Sequence, residues 1–194
     1  MSKVVYVSGL GLISSIGSNV SENLSSLENK VSGIGEMSIL NSVHGKSLPV
    51  AEVKLNNAEL SEISGFPEST TRAAMLSFIA TREAWIQSGI AISHNFKTGF
   101  ISANSAGGMD KSEHFFKTYF SNQYKGKLRD IVNHECGSVS ELVADKMGIR
   151  DYVSTISTAC SSSANSIAHA ARLIKSGILD VAIAGGVDAL TRFT

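Results

Sequence analysis

The chain has 194 residues, 43% of them hydrophobic, and its 17 Lys plus Arg balance 17 Asp plus Glu. That apolar content supports a buried core, and the even balance argues against the broad basic surface with which a nucleic-acid binder neutralises phosphates. No apolar run approaches the ~18 to 20 residues needed to cross a bilayer, and the opening "MSKVVYVSGLG" lacks a signal peptide's long apolar stretch, so a cytoplasmic protein is expected.

In chain order, "KVVYVSG" (3–9) is short and β-branched, the form of a strand covered on both faces. Asn19 or Ser21 caps a helix over 19–29 that carries Val20, Leu24 and Leu27 at helical spacing. Residues 32–68, rich in Ser, Gly and Asn, read as loops with one short strand, "LPVAEV" (48–53). A longer helix over 70–88 presents Met75, Phe78, Ile79, Trp85 and Ile86 and stops at Gly89. "TGFISAN" (98–104) is a second buried-type strand. The run 110–133 is aromatic and charged without clean periodicity; its Phe115, Phe116, Tyr119 and Phe120 suit a satellite core or an interface better than a platform for bases.

A short helix follows over 138–147, with Val139, Leu142, Val143 and Met147 on one side, and then the strand "YVSTIST" (152–158). The helix over 161–176 has an apolar stripe of Ala164, Ile167, Ala168, Ala171 and Ile174, with Lys175 in its last turn and Gly177 just beyond. "LDVAIAGG" (179–186) closes the series. Strands alternating with helices predict a parallel α/β sheet, and no repeat or linker divides residues 1–194 into separate domains.

Gly9 and Gly11 follow a predicted strand, but a dinucleotide fingerprint needs Gly or Ala where Ser14 stands, and no acidic residue closes a second strand. The glycines read instead as a tight strand-to-helix turn that permits close backbone approach. Cys136 and Cys160 have no CxxC or Cys/His ligand spacing, which argues against a disulfide framework or a zinc site; "NHEC" (133–136) puts potential ligands side by side, where they rarely converge on one ion.

Cys160 sits where a predicted parallel strand ends and a helix begins. Active sites of open α/β sheets gather there, and a helix start offers unpaired N–H groups and a positive dipole end to a thiolate or an oxyanion. The same position also suits an inert core cysteine. A base within the chain is hard to find. His169 lies nine residues past Cys160, roughly 13 Å along the helix axis. His44, His94, His114 and His134 fall in expected loops or beside helix starts. Cys136 reads as structural.

Three blocks decide between these readings: "VVYVSGLGLISSIG" (4–17), "AWIQSGI" (84–90) with "TGFISANSAGGM" (98–109), and "ISTACSSSANSIAHAARLIKSGILDVAIAGGVDA" (156–189). With them the chain resembles the N-terminal part of a β-ketoacyl-acyl carrier protein synthase of the elongating type, in the thiolase-like superfamily. The resemblance implies an α/β, thiolase-like fold: the N-terminal half of a duplicated, layered αβα core with a mostly parallel sheet. It implies that Cys160 accepts an acyl group from an acyl carrier protein and supplies half of the oxyanion hole through its own N–H. Ala106, with Gly107 and Gly108, matches the segment lining the family's acyl pocket. Condensation in the family is decarboxylative, uses malonyl thioester and needs no cofactor or metal. A homodimer or a ketosynthase heterodimer is the implied assembly.

Departures from the family are informative. Its subunit is about twice this length, and its two histidines and lysine come from a second half, so the chain is expected to be a fragment. Asp151 and Tyr152 stand where the family has Gly-Pro, and the prolines number only two, Pro49 and Pro67, which suggests a branch serving polyketide or specialised lipid synthesis. The rival reading is a non-catalytic subunit of the chain-length-factor kind; such subunits usually lack the cysteine that this chain keeps. A cysteine hydrolase is a third reading, without a matching signature around Cys160.

Overall fold

In the computed structural model, which describes residues 4–91 and 95–193, the central element is β1 (Thr98–Ala103), with all six residues buried. Parallel neighbours flank it: β2 (Tyr152–Ile156) on one side and β3 (Val181–Gly186) on the other, giving the order β2-β1-β3. Alternation along β1 feeds two cores. Phe100 packs with Phe78, Val143, Ala144 and Ile149 on one face, and Ile101 packs with Ala170, Leu173 and Leu179 on the other. Burying each of the larger of these side chains, the Phe, Val, Ile and Leu, contributes about 1.5 to 3 kcal/mol.

The first face is covered by α3 (Arg72–Ser88) and α5 (Cys136–Met147), the second by α6 (Ser162–Lys175), so the sheet lies between helical layers. Outside this frame lie α1 (Val20–Glu28), α2 (Asn57–Ser64) and α4 (Met109–Ser121). Asn19 caps α1 by accepting from the Glu22 N–H, as the sequence predicts. Glu52, 3% exposed, ties the 38–40 loop by accepting from the Ser38 N–H and hydroxyl and from the Ile39 and Leu40 N–H groups. Burial pulls its carboxyl upward, but these bonds outweigh it and hold the value at about 2 against an ordinary 4.5. The stabilisation is therefore present above the ordinary value and is lost as pH falls through about 2.

Several expectations need correction. Residues 4–9 form no ladder, and Val4, Tyr6 and Val7 are exposed. Just downstream, the Leu10 and Leu12 N–H groups donate to the side chains of Gln87 and Glu83 on α3 rather than to a neighbouring strand. Gly9 and Gly11 lie so close to α3 that a Cβ on either would stand 2.1 Å from the Ala84 carbonyl oxygen or 1.8 Å from that of Ala80. The glycines thus serve close approach, as expected, but in an irregular segment rather than a strand-to-helix turn. The 48–53 strand reduces to a single antiparallel bridge, Gly35 to Val50. Two helices were not anticipated, α2 within the expected loops and α4 within the aperiodic aromatic run. Within that run Phe115 is buried while Phe116 and Phe120 are exposed.

The face of α6 is also corrected. Ser162, Ser166, Ala170 and Leu173 are the buried positions, whereas Ala164 and Ile167 of the predicted stripe are exposed. Small residues win here because they let the helix approach β3. The Ser166 hydroxyl donates to the Gly185 carbonyl at 2.8 Å, and a Cβ on Gly186 would stand 2.2 Å from Ser163 Oγ.

Candidate active site

Because the sheet is parallel, its three carboxyl ends lie together, with Ala103 in register with both Ile156 and Gly186. The loops leaving the first two of those strands carry the four candidate site residues, Ala106, Gly107 and Gly108 after β1 and Cys160 after β2. Cys160 follows β2 by four residues, in a 3-10 turn (Ala159–Ser161) that leads directly into α6, and its side chain is exposed. Its thiol makes no hydrogen bond with any of the described residues.

The turn that presents it is tightly tied. Ala159 has a φ of 52°, a left-handed conformation that a residue with a Cβ adopts at a cost of about 1 to 2 kcal/mol. The Thr158 N–H donates to Ser162 Oγ at 2.7 Å, and the Ser162 hydroxyl donates to the Ala159 carbonyl, also at 2.7 Å. Ser161 donates to the Thr158 carbonyl at 2.9 Å, and the Asn165 amide donates to Thr158 Oγ1 at 2.8 Å. The second residue of such a turn has no intrahelical acceptor for its N–H, so the Cys160 backbone is a candidate donor to an anion near the sulfur.

Ala106, Gly107 and Gly108 lie at the same end of the sheet, but their N–H groups are occupied. Ser105 and Ala106 donate to Asp188 Oδ1, which follows β3, at 2.8 and 3.0 Å. Gly107 donates to the buried Asn104 side chain, and Gly108 to the His134 carbonyl at 2.9 Å. Gly107 and Gly108 are buried against the 133–136 segment, where a Cβ on either would stand 2.1 Å from a backbone carbonyl oxygen. Two cavities, of about 410 and 400 Å³, lie in the described part of the protein; Asp188 lines both, and neither Cys160 nor Ala106 lines either.

The histidines are elsewhere. His169 Nε2 pairs with the Tyr152 hydroxyl at 2.9 Å, and His134 Nδ1 with the Ser112 hydroxyl at 2.7 Å. His44 and His114 are exposed, and His94 lies outside the described residues. Among the described residues no group of three metal-ligating side chains occurs. Asp151, one of the departures, accepts the Thr98 N–H at 2.8 Å and so closes the start of β1. The residues that sequence reasoning missed are Ser162 and Asn165; only their proximity to Cys160 marked them. The helix expected over 138–147 starts two residues earlier, so that α5 begins on Cys136 itself.

Comparison with known proteins places this arrangement. A family model described as "Beta-ketoacyl synthase, N-terminal domain" matches residues 2–193. The 3-oxoacyl-[acyl-carrier-protein] synthase 1 of Haemophilus influenzae is 29% identical over 194 residues, covering 95% of this chain and 46% of that protein. Nodulation protein E of Rhizobium meliloti is 28% identical over 196 residues, covering 97% of this chain and 47% of that protein. The chain thus spans about half the length of the curated relatives it matches. A ketosynthase (ApeO) solved in complex with its chain length factor (ApeC), from Xenorhabdus doucetiae, superposes with a TM-score of 0.77 at 28% identity, over 97% of this chain and 48% of that one. The ishigamide ketosynthase/chain length factor superposes with a TM-score of 0.87 over 100% of this chain and 49% of that one; at 21% identity it speaks for the fold alone, which is thiolase-like.

Proposed function

Since the chain belongs to the β-ketoacyl synthase family, as its N-terminal domain, we propose that Cys160 is the acyl-accepting nucleophile of a protein that lengthens an acyl chain. The observation that supports this most is an exposed thiol on a strained, tied turn at the carboxyl end of a parallel strand and the start of a helix. The thiolate attacks the carbonyl of an acyl thioester, the Cys160 N–H donates to the oxygen that becomes negative, and the carrier thiolate leaves. A malonyl thioester then loses CO₂, and its carbanion attacks the acyl carbon, forming the carbon–carbon bond. Expulsion of the Cys160 thiolate yields the 3-oxoacyl thioester.

An acyl carrier protein is the proposed donor, in keeping with the name of the Haemophilus influenzae relative. A second ketosynthase-type subunit is the proposed partner, since ApeO is in complex with a chain length factor. The proposed setting is cytoplasmic, and the reaction as proposed draws on no cofactor. Ala106, Gly107 and Gly108 are proposed to line the acyl site through the backbone they shape rather than through free N–H groups.

The test is intact-mass analysis after incubation with an acyl thioester of a carrier protein. The expected result is one acyl adduct on Cys160, absent from Cys160→Ser. An adduct on Cys136, or an equal adduct in Cys160→Ser, would overturn the reading. With malonyl thioester added, the 194-residue chain is expected to give no 3-oxoacyl product, because groups that act as a unit fail together and none of the described histidines or lysines bonds to Cys160. Product at the rate of a full-length synthase would contradict that expectation.

A further inference from the structure

Ser162 is 4% exposed and touches both sides of the turn that carries Cys160. Its Oγ accepts the Thr158 N–H and donates to the Ala159 carbonyl, each at 2.7 Å, so one hydroxyl closes a ring across residues 158–162 with Cys160 at its outer edge. The ring encloses Ala159, which adopts a left-handed conformation that L side chains rarely take. Such a conformation persists only where the surroundings over-determine it. On the solvent side Asn165 donates to both Thr158 Oγ1, at 2.8 Å, and Ser161 Oγ, at 3.3 Å, and braces the ring from outside.

We infer that Ser162 is a positioning residue for Cys160, holding Ala159 in its left-handed state so that the thiol and its own N–H face the same space beyond the sheet end, with Asn165 as an outer brace. The inference rests on the reading of Cys160 as the nucleophile. Without the Ser162 hydroxyl the Thr158 N–H loses its acceptor, and Ala159 is free to relax to the right-handed region. That rotation turns the following residue, which is Cys160. Nothing else in α6 need move, because Ser166 separately ties the helix to β3 through the Gly185 carbonyl.

The experiment is alkylation of the 194-residue chain by iodoacetamide, with the rate at each cysteine read by peptide mapping, in the parent, Ser162→Ala, Ser162→Thr and Asn165→Ala. Cys136 is the reference within the same molecule. Ser162→Ala is expected to slow Cys160 about fivefold, the ratio one net hydrogen bond is worth, while leaving Cys136 unchanged. Ser162→Thr, which keeps the hydroxyl, is expected to restore the rate, and Asn165→Ala to give about a twofold loss. An unchanged Cys160 rate in Ser162→Ala overturns the inference, and so does a change at Cys160 matched at Cys136, which marks general loosening. If Ser162→Ala does not fold, the exposed Asn165→Ala decides, and an unchanged rate there overturns it. Acyl transfer is scored separately: a parent chain that shows these alkylation differences yet takes no acyl group sinks the reading of Cys160 as the acyl acceptor and leaves the positioning role standing.

Discussion

Cys136 and Cys160 both stand at helix starts, and both helices begin at the carboxyl end of the sheet. The Ser140 hydroxyl of α5 reaches Thr155 Oγ1 at 2.6 Å near the end of β2, and the Ser166 hydroxyl of α6 reaches Gly185 near the end of β3. A helix dipole therefore cannot be what separates the two thiols. They differ in how the chain arrives. Cys136 follows Glu135, which has ordinary extended backbone and no side-chain cap, and is half-buried beside the Gly107–Gly108 turn. Cys160 follows a left-handed alanine enclosed by four hydrogen-bonding side chains, and is exposed. One junction is built to start a helix, and the other to hold a residue away from it.

The largest expected effect breaks the pair apart directly. Cys160→Ala should remove at least about nine-tenths of the fast alkylation by iodoacetamide, whereas Cys136→Ala should leave it unchanged, since thiolate reactivity follows access and local field together. Peptide mapping of the first label distinguishes the two, and Cys136 labelled first would erase the distinction.

Next in size is a change on the Cys136 side. Gly108→Ala would push a Cβ to 2.1 Å from the Asn133 carbonyl oxygen and 2.8 Å from Thr71 Cγ2, in a turn whose N–H is already bonded to His134. Backbone cannot yield as a flexible side chain does, so a loss of about 2 to 4 kcal/mol is expected. Urea unfolding measures it. A loss much below that would mean the turn is free to move and is no fixed wall of the site.

The legibility of the two junctions in the sequence follows the same division. All three ladder strands were visible as short β-branched or glycine-rich runs, and α1, α3, α5 and α6 as apolar periodicity with caps. The helix α4 escaped because its buried face is Ser112 and Phe115 while Phe116 and Phe120 look outward, so hydrophobicity does not track burial there. For α2 a signal was present and passed over: Asn56 and Glu59 form a reciprocal capping box. Residues 4–9 have strand composition but join no ladder, and the residues just after them, Leu10 and Leu12, bond to α3 side chains instead, a tertiary choice that no local pattern reveals. The place of Cys160, between the end of β2 and the start of α6, was legible from the pattern of strand and helix. Its ring was not, because Ser162 reads as one more small polar residue in "CSSSANS" until Ala159 is known to be left-handed.

Ala159→Gly sharpens the comparison on the Cys160 side. Glycine adopts a φ of 52° without the Cβ penalty, and its greater freedom in the unfolded chain offsets part of that gain. The remainder is a stabilisation of about 1 kcal/mol, readable as a rise in the urea midpoint, with Cys160 alkylation unchanged because the backbone conformation is kept. A destabilised protein would mean that the methyl group, not the conformation, is what the turn needs.

The smallest expected effect is the mirror of that substitution in the other helix. Gly137 follows Cys136 in the first turn of α5, has no left-handed φ, and would meet nothing within 4 Å if it carried a Cβ. Nothing in the described surroundings requires glycine there, so Gly137→Ala should gain about 0.5 kcal/mol from helix propensity and the reduced freedom of the unfolded chain. The same urea titration measures it, alongside Ala159→Gly. The pair is informative because the directions are chemically opposite: adding a methyl stabilises one cysteine junction, and removing one stabilises the other. If Gly137→Ala instead destabilised the chain while Ala159→Gly had no effect, the Cys136 start would be the strained junction and the Cys160 turn the relaxed one, and the distinction between them would be reversed.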